Sequence, residues 1–248
     1  SSSTSTSEKS DLAVILGGAD VDGDTLTYEI VIQPTSGTLT GTAPNLTYTP
    51  DNEFNGLDVF SFRVYDGTVY SAEATITVNV GGVNDAPTVS DAAVTTDEDE
   101  AAQILLVGAD EDGDPLTFEV IVGPTMGVLS GSTPNLTYTP NPNANGTDSF
   151  TYRANDGSTD SNVATLTVNV TAVNDAPIAS SFTTSAQEDG FVAVVLGASD
   201  VDGDALTWQV TAAPTNGVLT GQAPNLTYTP NPAFSGTDAF TFVANDGQ

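Results

Sequence analysis

The chain has 248 residues, with 33 Asp and Glu against 3 Lys and Arg, neither His nor Cys, and a formal charge of −30. That balance excludes a phosphate-gripping nucleic-acid partner and an electrostatic hold on anionic lipid. It also excludes zinc sites and neutral-pH His or Cys chemistry. Apolar residues still make up 38% of the chain, enough for small cores, and no apolar run reaches the roughly 18 residues of a membrane span.

In chain order, the Ser/Thr-rich opening "SSSTSTSEKS" aligns with "SSFTTSAQED" at 181–190 and predicts a first strand. The opening carries no signal-peptide pattern, as expected of a mature chain or a fragment. "DVDGDTLTYEI" begins at Asp20 and returns as "DEDGDPLTFEV" from Asp110 and "DVDGDALTWQV" from Asp200. "PTSGTL" at 34–39 returns as "PTMGVL" and "PTNGVL", "APNLTYTP" at 43–50 as "TPNLTYTP" at 133–140 and "APNLTYTP" at 223–230, and "VNDAP" at 83–87 recurs at 173–177. Every recurrence falls at a spacing of 90, which suits a whole immunoglobulin-sized domain and is too long for a solenoid unit.

The middle copy reads as all β. "AQILLVGA" (102–109) is an apolar run that predicts a buried strand, and "LTFEVIV" (116–122) follows the acidic loop. "GVLSG" and "NLTYTP" come next, divided by turn residues. "DSFTYRA" (148–154) places Phe150, Tyr152 and Ala154 on one face, and "NVATLTVNV" (162–170) places Leu166, Val168 and Val170 on one face. Period-two alternation in short segments predicts antiparallel sandwiches, with "NDG" at 155–157 and 245–247 as a hairpin signal. No segment holds a helical period.

The predicted layout is a first module at 1–83, a linker at 84–87, a second module at 88–173, a linker at 174–177 and a third module at 178–248. The third module lacks the counterpart of "NVATLTVNV", so an unpaired edge is expected. Either a cut chain accounts for this or a strand from another chain fills the gap.

Three carboxylates within five residues admit three readings. A solvated Asp/Gly turn is one. A calcium loop is another, because side chains two apart converge on one ion and Gly113 lets the chain turn between Asp112 and Asp114. The third, glycosidase-type paired carboxylates, is disfavoured because the same residues stand in all three copies. The spacing is not that of an EF-hand. Asn45, Asn135, Asn145, Asn169 and Asn225 lie in sequons that equally serve strands and turns, and Trp208 replaces Tyr28 and Phe118 as expected of a core position.

The order "VNDAP", early Glu, "GADEDGDPLTFEV", "GTDSFTYRANDG" resembles the cadherin-like and Ig-like tandem repeats of large bacterial surface proteins, such as VCBS-type repeats and RTX-adhesin extenders. The resemblance implies three tandem antiparallel β-sandwich modules in an extended rod, with calcium held at the junctions. By that resemblance the first junction would use Glu8, Asn84, Asp85, Asp110, Asp112 and Asp156, and the second Glu98, Asn174, Asp175, Asp200, Asp202 and Asp246. Asp20, Asp22 and Asp66 have no upstream linker in this chain, so their site is expected to be incomplete, weaker or empty. The cadherin Leu-Asp-Arg-Glu motif is absent and the linker is less acidic, which reduces the expectation to about one or two ions per junction.

The implied role is a non-catalytic, calcium-binding spacer of an extracellular adhesin or secreted protein. Its partners would be calcium, neighbouring repeats and a cell-surface or polysaccharide ligand. Two alternatives remain: a carbohydrate-binding accessory module, and a filament subunit that self-associates by strand exchange.

Overall fold

The computed structural model describes every residue from Ser1 to Gln248 and contains strands but no helix. Seven strands form the first copy: β1 (Ser2–Ser7), β2 (Leu12–Ile15), β3 (Thr27–Ile32), β4 (Gly37–Thr42), β5 (Asn45–Pro50), β6 (Gly56–Tyr65) and β7 (Ala74–Gly81). They build a four-stranded sheet in the order β1-β7-β6-β3 and a three-stranded sheet in the order β2-β5-β4. Val14, Leu16, Leu46, Tyr48, Phe60, Phe62, Ile76, Val78 and Val80 fill the space between them. The alternation dictates this: in β7, Ile76, Val78 and Val80 are buried while Asn79 faces water. Each such side chain contributes about 1.5–3 kcal/mol of burial free energy.

The second copy supplies β8 (Ala92–Asp97), β9 (Ala102–Leu105), β10 (Thr117–Val122), β11 (Gly127–Ser132), β12 (Asn135–Pro140), β13 (Gly146–Asn155) and β14 (Ala164–Thr171). Strands β11, β12 and β9 form the three-stranded sheet. The third copy supplies β15 (Ile178–Ser180), β16 (Val192–Val195), β17 (Gly197–Ser199), β18 (Thr207–Ala212), β19 (Gly217–Gln222), β20 (Asn225–Pro230) and β21 (Thr241–Asn245). The chain divides into two compact units. One is 1–90 with 107–119 and 152–164, and the other is 91–106 with 120–151 and 165–248.

Two features depart from the sequence expectation. The sandwiches are not wholly antiparallel, because β1 pairs in parallel with β7 and β8 with β14. Residues 8–11 carry the chain from β1 in one sheet to β2 in the other, so the first strand reaches its partner only through the closed fold. The run 102–109 is not a buried strand. Ile104 and Leu106 are buried, but Leu105 and Val107 are 60% and 59% exposed, because one face of β9 packs inward and the other meets solvent. The "NDG" signal at 155–157 does mark a chain reversal: Gly157 has a positive φ and Asn155 bridges Asp160 in antiparallel sense, closing a loop around Asp156.

In the third copy, β18 pairs with β21 alone. Residues 182–187, which align with β1 and β8, form no strand. Those strands exist by pairing with β7 or β14, and this chain holds no third counterpart of them. An open cavity of about 800 Å³, lined by Phe182, Val192, Val194, Phe240 and Phe242 among others, lies there. Trp208 packs on the third core, as its alignment with Tyr28 and Phe118 suggested, and its Nε1 is buried without a partner.

Candidate metal centre

The acidic loops follow β2, β9 and β17 and turn at a glycine of positive φ, +79° for Gly113 and +80° for Gly203. Only a residue without Cβ takes that conformation at no steric cost. The turn folds the loop back on its first carboxylate: Asp110 Oδ1 accepts the Asp114 N–H at 3.0 Å, and Asp200 Oδ1 accepts the N–H groups of Asp202 and Asp204 at 3.0 and 3.2 Å. One carboxylate oxygen from each of Asp110, Asp112 and Asp114 lies within 4.8 Å of the others, and the same holds for Asp200, Asp202 and Asp204.

The loops meet the linkers. The Asp85 N–H donates to Asp112 Oδ2 at 2.7 Å, and the Asp175 N–H to Asp202 Oδ2 at 2.8 Å. Asn84 Nδ2 donates to Asp156 Oδ2 and Asn174 Nδ2 to Asp246 Oδ2, each at 2.9 Å. The backbone N–H of Thr159, the Asn84 amide and the N–H of Ser158 hold Asp156 below the ordinary carboxylate range. The Asn174 amide and the Gln248 N–H do the same for Asp246. The early glutamates come to the same places. Glu8 and Glu98 are 1% and 4% exposed, and each accepts the N–H of the residue just before a linker, Val83 and Val173 respectively.

Thus Glu8, Asn84, Asp85, Asp110, Asp112 and Asp156 are gathered at the first junction, within the first compact unit. Glu98, Asn174, Asp175, Asp200, Asp202 and Asp246 are gathered at the second, within the second unit. Asp20 Oδ1 accepts the Asp22 and Asp24 N–H groups, and Asp66 is engaged by Thr68 and Val69 of its own turn. The carboxylates of Asp20, Asp22 and Asp24 are not among those that converge.

One observation bears on a cation. Asp110 Oδ2 and Asp200 Oδ2 are buried, and neither has a hydrogen-bond partner. A desolvated carboxylate oxygen without a partner costs a few kcal/mol, and such atoms are rare in native folds. Both residues belong to all-oxygen donor sets with no nitrogen or sulfur ligand, the chemistry that suits a hard divalent ion. The residues therefore fit calcium.

Three features escaped sequence reasoning. Lys9 Nζ lies 2.6 and 2.5 Å from the two oxygens of Asp85 and 3.2 Å from Glu53 Oε1. The Lys9 ammonium draws Asp85 below its ordinary range, and Asp85 raises Lys9 above its own. Glu53, Asp85 and Glu111 form a further convergent group. Asp58, Asp148 and Asp238 are structural carboxylates. Asp58 takes the N–H groups of Thr35, Ser36 and Val59 and the Tyr48 hydroxyl, and its counterparts repeat this. The 90-residue recurrence of "GxD" before an aromatic was the available signal for these three.

A family profile described as a bacterial Ig domain matches residues 1–79, 84–169 and 174–248. Among curated proteins, the integrin beta-like protein B of Dictyostelium discoideum is 31% identical over 136 residues. That match takes in 48% of this chain, and the chain spans 7% of that relative's length. Among solved structures, human CDH23 EC21-23 superposes with a TM-score of 0.60 at 15% identity, over 96% of this chain and 97% of that one. The protocadherin gammaB7 EC3-6 structure gives 0.56 at 16% identity, over 100% and 72%. These likenesses show the cadherin-like fold.

Proposed function

Since the chain belongs to the bacterial Ig domain family, three repeats in tandem, we propose that it is a calcium-binding, non-catalytic spacer of an extracellular or surface protein, with its repeats divided at 84–87 and 174–177. The buried, partnerless Oδ2 atoms of Asp110 and Asp200 carry the reading, because each stands where a linker hydrogen-bonds the same acidic loop. Glu8, Asp85, Asp110 and Asp112 would hold an ion at the first junction, and Glu98, Asp175, Asp200 and Asp202 at the second. Asn84 with Asp156, and Asn174 with Asp246, would fix the linkers beside them. The ion supplies positive charge that offsets the repulsion among these carboxylates and fastens linker to loop.

A spacer uses this differently from an enzyme. The acidic-loop carboxylates recur in each copy, and at the junctions the carboxylates are held by backbone amides, by the Asn84 and Asn174 side chains and, at Asp85, by Lys9, an arrangement that restrains a junction. Extracellular placement suits the ion, since weak sites of about 10⁻⁴–10⁻³ M are filled only where calcium is abundant. The structure has no helix long and apolar enough to cross a membrane.

The test is calorimetric titration of the full chain with calcium, paired with thermal melts and small-angle scattering in calcium and in EDTA. Saturable binding and a raised melting temperature are expected, about 2.7 kcal/mol of added stability at a hundredfold excess over Kd. The maximum dimension should become better defined with calcium. No binding heat and superimposable melts would return the loops to solvated turns.

A further inference from the structure

The two junctions are not equivalent. At three aligned positions the first junction carries Lys9, Glu53 and Glu111 where the second carries Asp99, Asn143 and Val201. The formal charge of each trio is the same, so the exchange redistributes charge without changing its total. What differs is that only the first junction owns an ammonium group.

Its placement is specific. Lys9 has a φ of +60° and Asp99 one of +62°, so the two residues leave the same backbone geometry. Asp99 turns its carboxylate to the Asn143 N–H. Lys9 instead lays Nζ across both oxygens of Asp85 and reaches Glu53. At the second junction the corresponding contact is one hydrogen bond from an uncharged donor, Asn143 Nδ2 to Asp175 Oδ2 at 2.6 Å. The early glutamate, the linker Asp and the middle loop Asp converge within 4.8 Å at the first junction, as Glu8, Asp85 and Asp112, and the second junction holds no equivalent group. Three like charges gather most readily where a counter-charge is already present.

We propose that Lys9 is a resident cation of the first junction, one that holds its carboxylates together without metal and competes with calcium for Asp85. This rests on the calcium reading above. The first junction then keeps an ionic clasp when calcium is low and fills at higher calcium, while the second depends on the ion and fills first. A chain with two such junctions responds to calcium in two steps.

The test uses the full chain with Lys9→Met and Lys9→Asp, the latter installing the second junction's residue. Backbone amide resonances are followed through a calcium titration, with Val83 and Gly113 reporting the first junction and Val173 and Gly203 the second. In the wild type the second pair should saturate at lower calcium. Removing the ammonium should tighten the first junction about tenfold, the scale of one unit charge a few ångströms from a divalent ion in water. Lys9→Asp should tighten it further, and both variants should speed Val83 and Asp85 amide exchange in EDTA. Unchanged or weakened calcium affinity at the first junction in Lys9→Met, with the second junction titrating normally, overturns the role of Lys9 and leaves the calcium reading standing. Failure of both pairs to respond in the wild type overturns the calcium reading itself.

Discussion

Asp58→Asn isolates the contribution of one buried charge to the first repeat. Asp58 is 2% exposed and takes five hydrogen bonds from four residues. Oδ1 accepts the N–H groups of Thr35 and Val59, both at 2.9 Å, and a longer bond from the Thr35 hydroxyl. Oδ2 accepts the Ser36 N–H at 3.0 Å and the Tyr48 hydroxyl at 2.9 Å. An asparagine oxygen can keep the first set. Its NH₂ then faces the Ser36 N–H, donor against donor, while the Tyr48 hydroxyl can turn to accept. The substitution loses a charge-assisted bond and leaves one amide unsatisfied, together about 3–5 kcal/mol. That is a large share of the stability of a small domain, so the first repeat should unfold early while the other two keep their transitions. Because several repeats make a single unfolding free energy ill-defined, the assay is native-state hydrogen exchange at amides of β5 and β6, in urea, with β12 and β13 as internal control. Tyr48→Phe, which removes one donor and strands none, should cost less. If Asp58→Asn costs under about 1 kcal/mol, a neutral amide serves as well as the carboxylate and the reasoning fails.

The same carboxylates set a pH dependence. Burial would raise Asp58 and Asp148, but in each case two loop N–H groups, the following residue's N–H and a tyrosine hydroxyl outweigh it, and both are held below the ordinary range. Their stabilisation is therefore complete above the unfolded value of about 3.9 and is lost as pH falls through the lower folded value. Melting temperatures should stay level from neutrality to about pH 5 and drop below about pH 4, and Asp58→Asn should flatten that drop for the first repeat. Glu8→Gln keeps an acceptor for the Val83 N–H but removes a charge beside Asp85 and Asp112. It should melt no lower than wild type in EDTA and gain less from calcium; an unchanged calcium increment would make Glu8 a structural acceptor only. At Gly127 an added Cβ would lie 2.5 Å from the Tyr138 ring and 2.6 Å from the Thr139 carbonyl oxygen. Gly127→Ala should then cost the second repeat about 1–3 kcal/mol by overpacking, read from the same exchange experiment.

The strands were legible because their signal is local. Alternation in "NVATLTVNV" puts Leu166, Val168 and Val170 inside wherever the strand pairs, and the 90-residue recurrence repeats that instruction in each copy. The acidic loop and linker were legible as sets of oxygen donors, and the structure brings them together. Direction and closure were not legible. The Ser and Thr of β1 become a strand only because β7, some 70 residues later, lies alongside in parallel, and residues 182–187 stay outside any strand where no such partner is present.

Composition and period determined an all-β tandem repeat with a surplus of carboxylates. Tertiary structure alone decided which carboxylates serve the scaffold and which face the junction. Asp58 is sealed by backbone donors, Asp110 keeps one buried oxygen without a partner, and Asp85 is shared with Lys9 from 76 residues away. An Asp reads the same in any sequence; the desolvation and the neighbours that fix its role arise only when distant segments close around it.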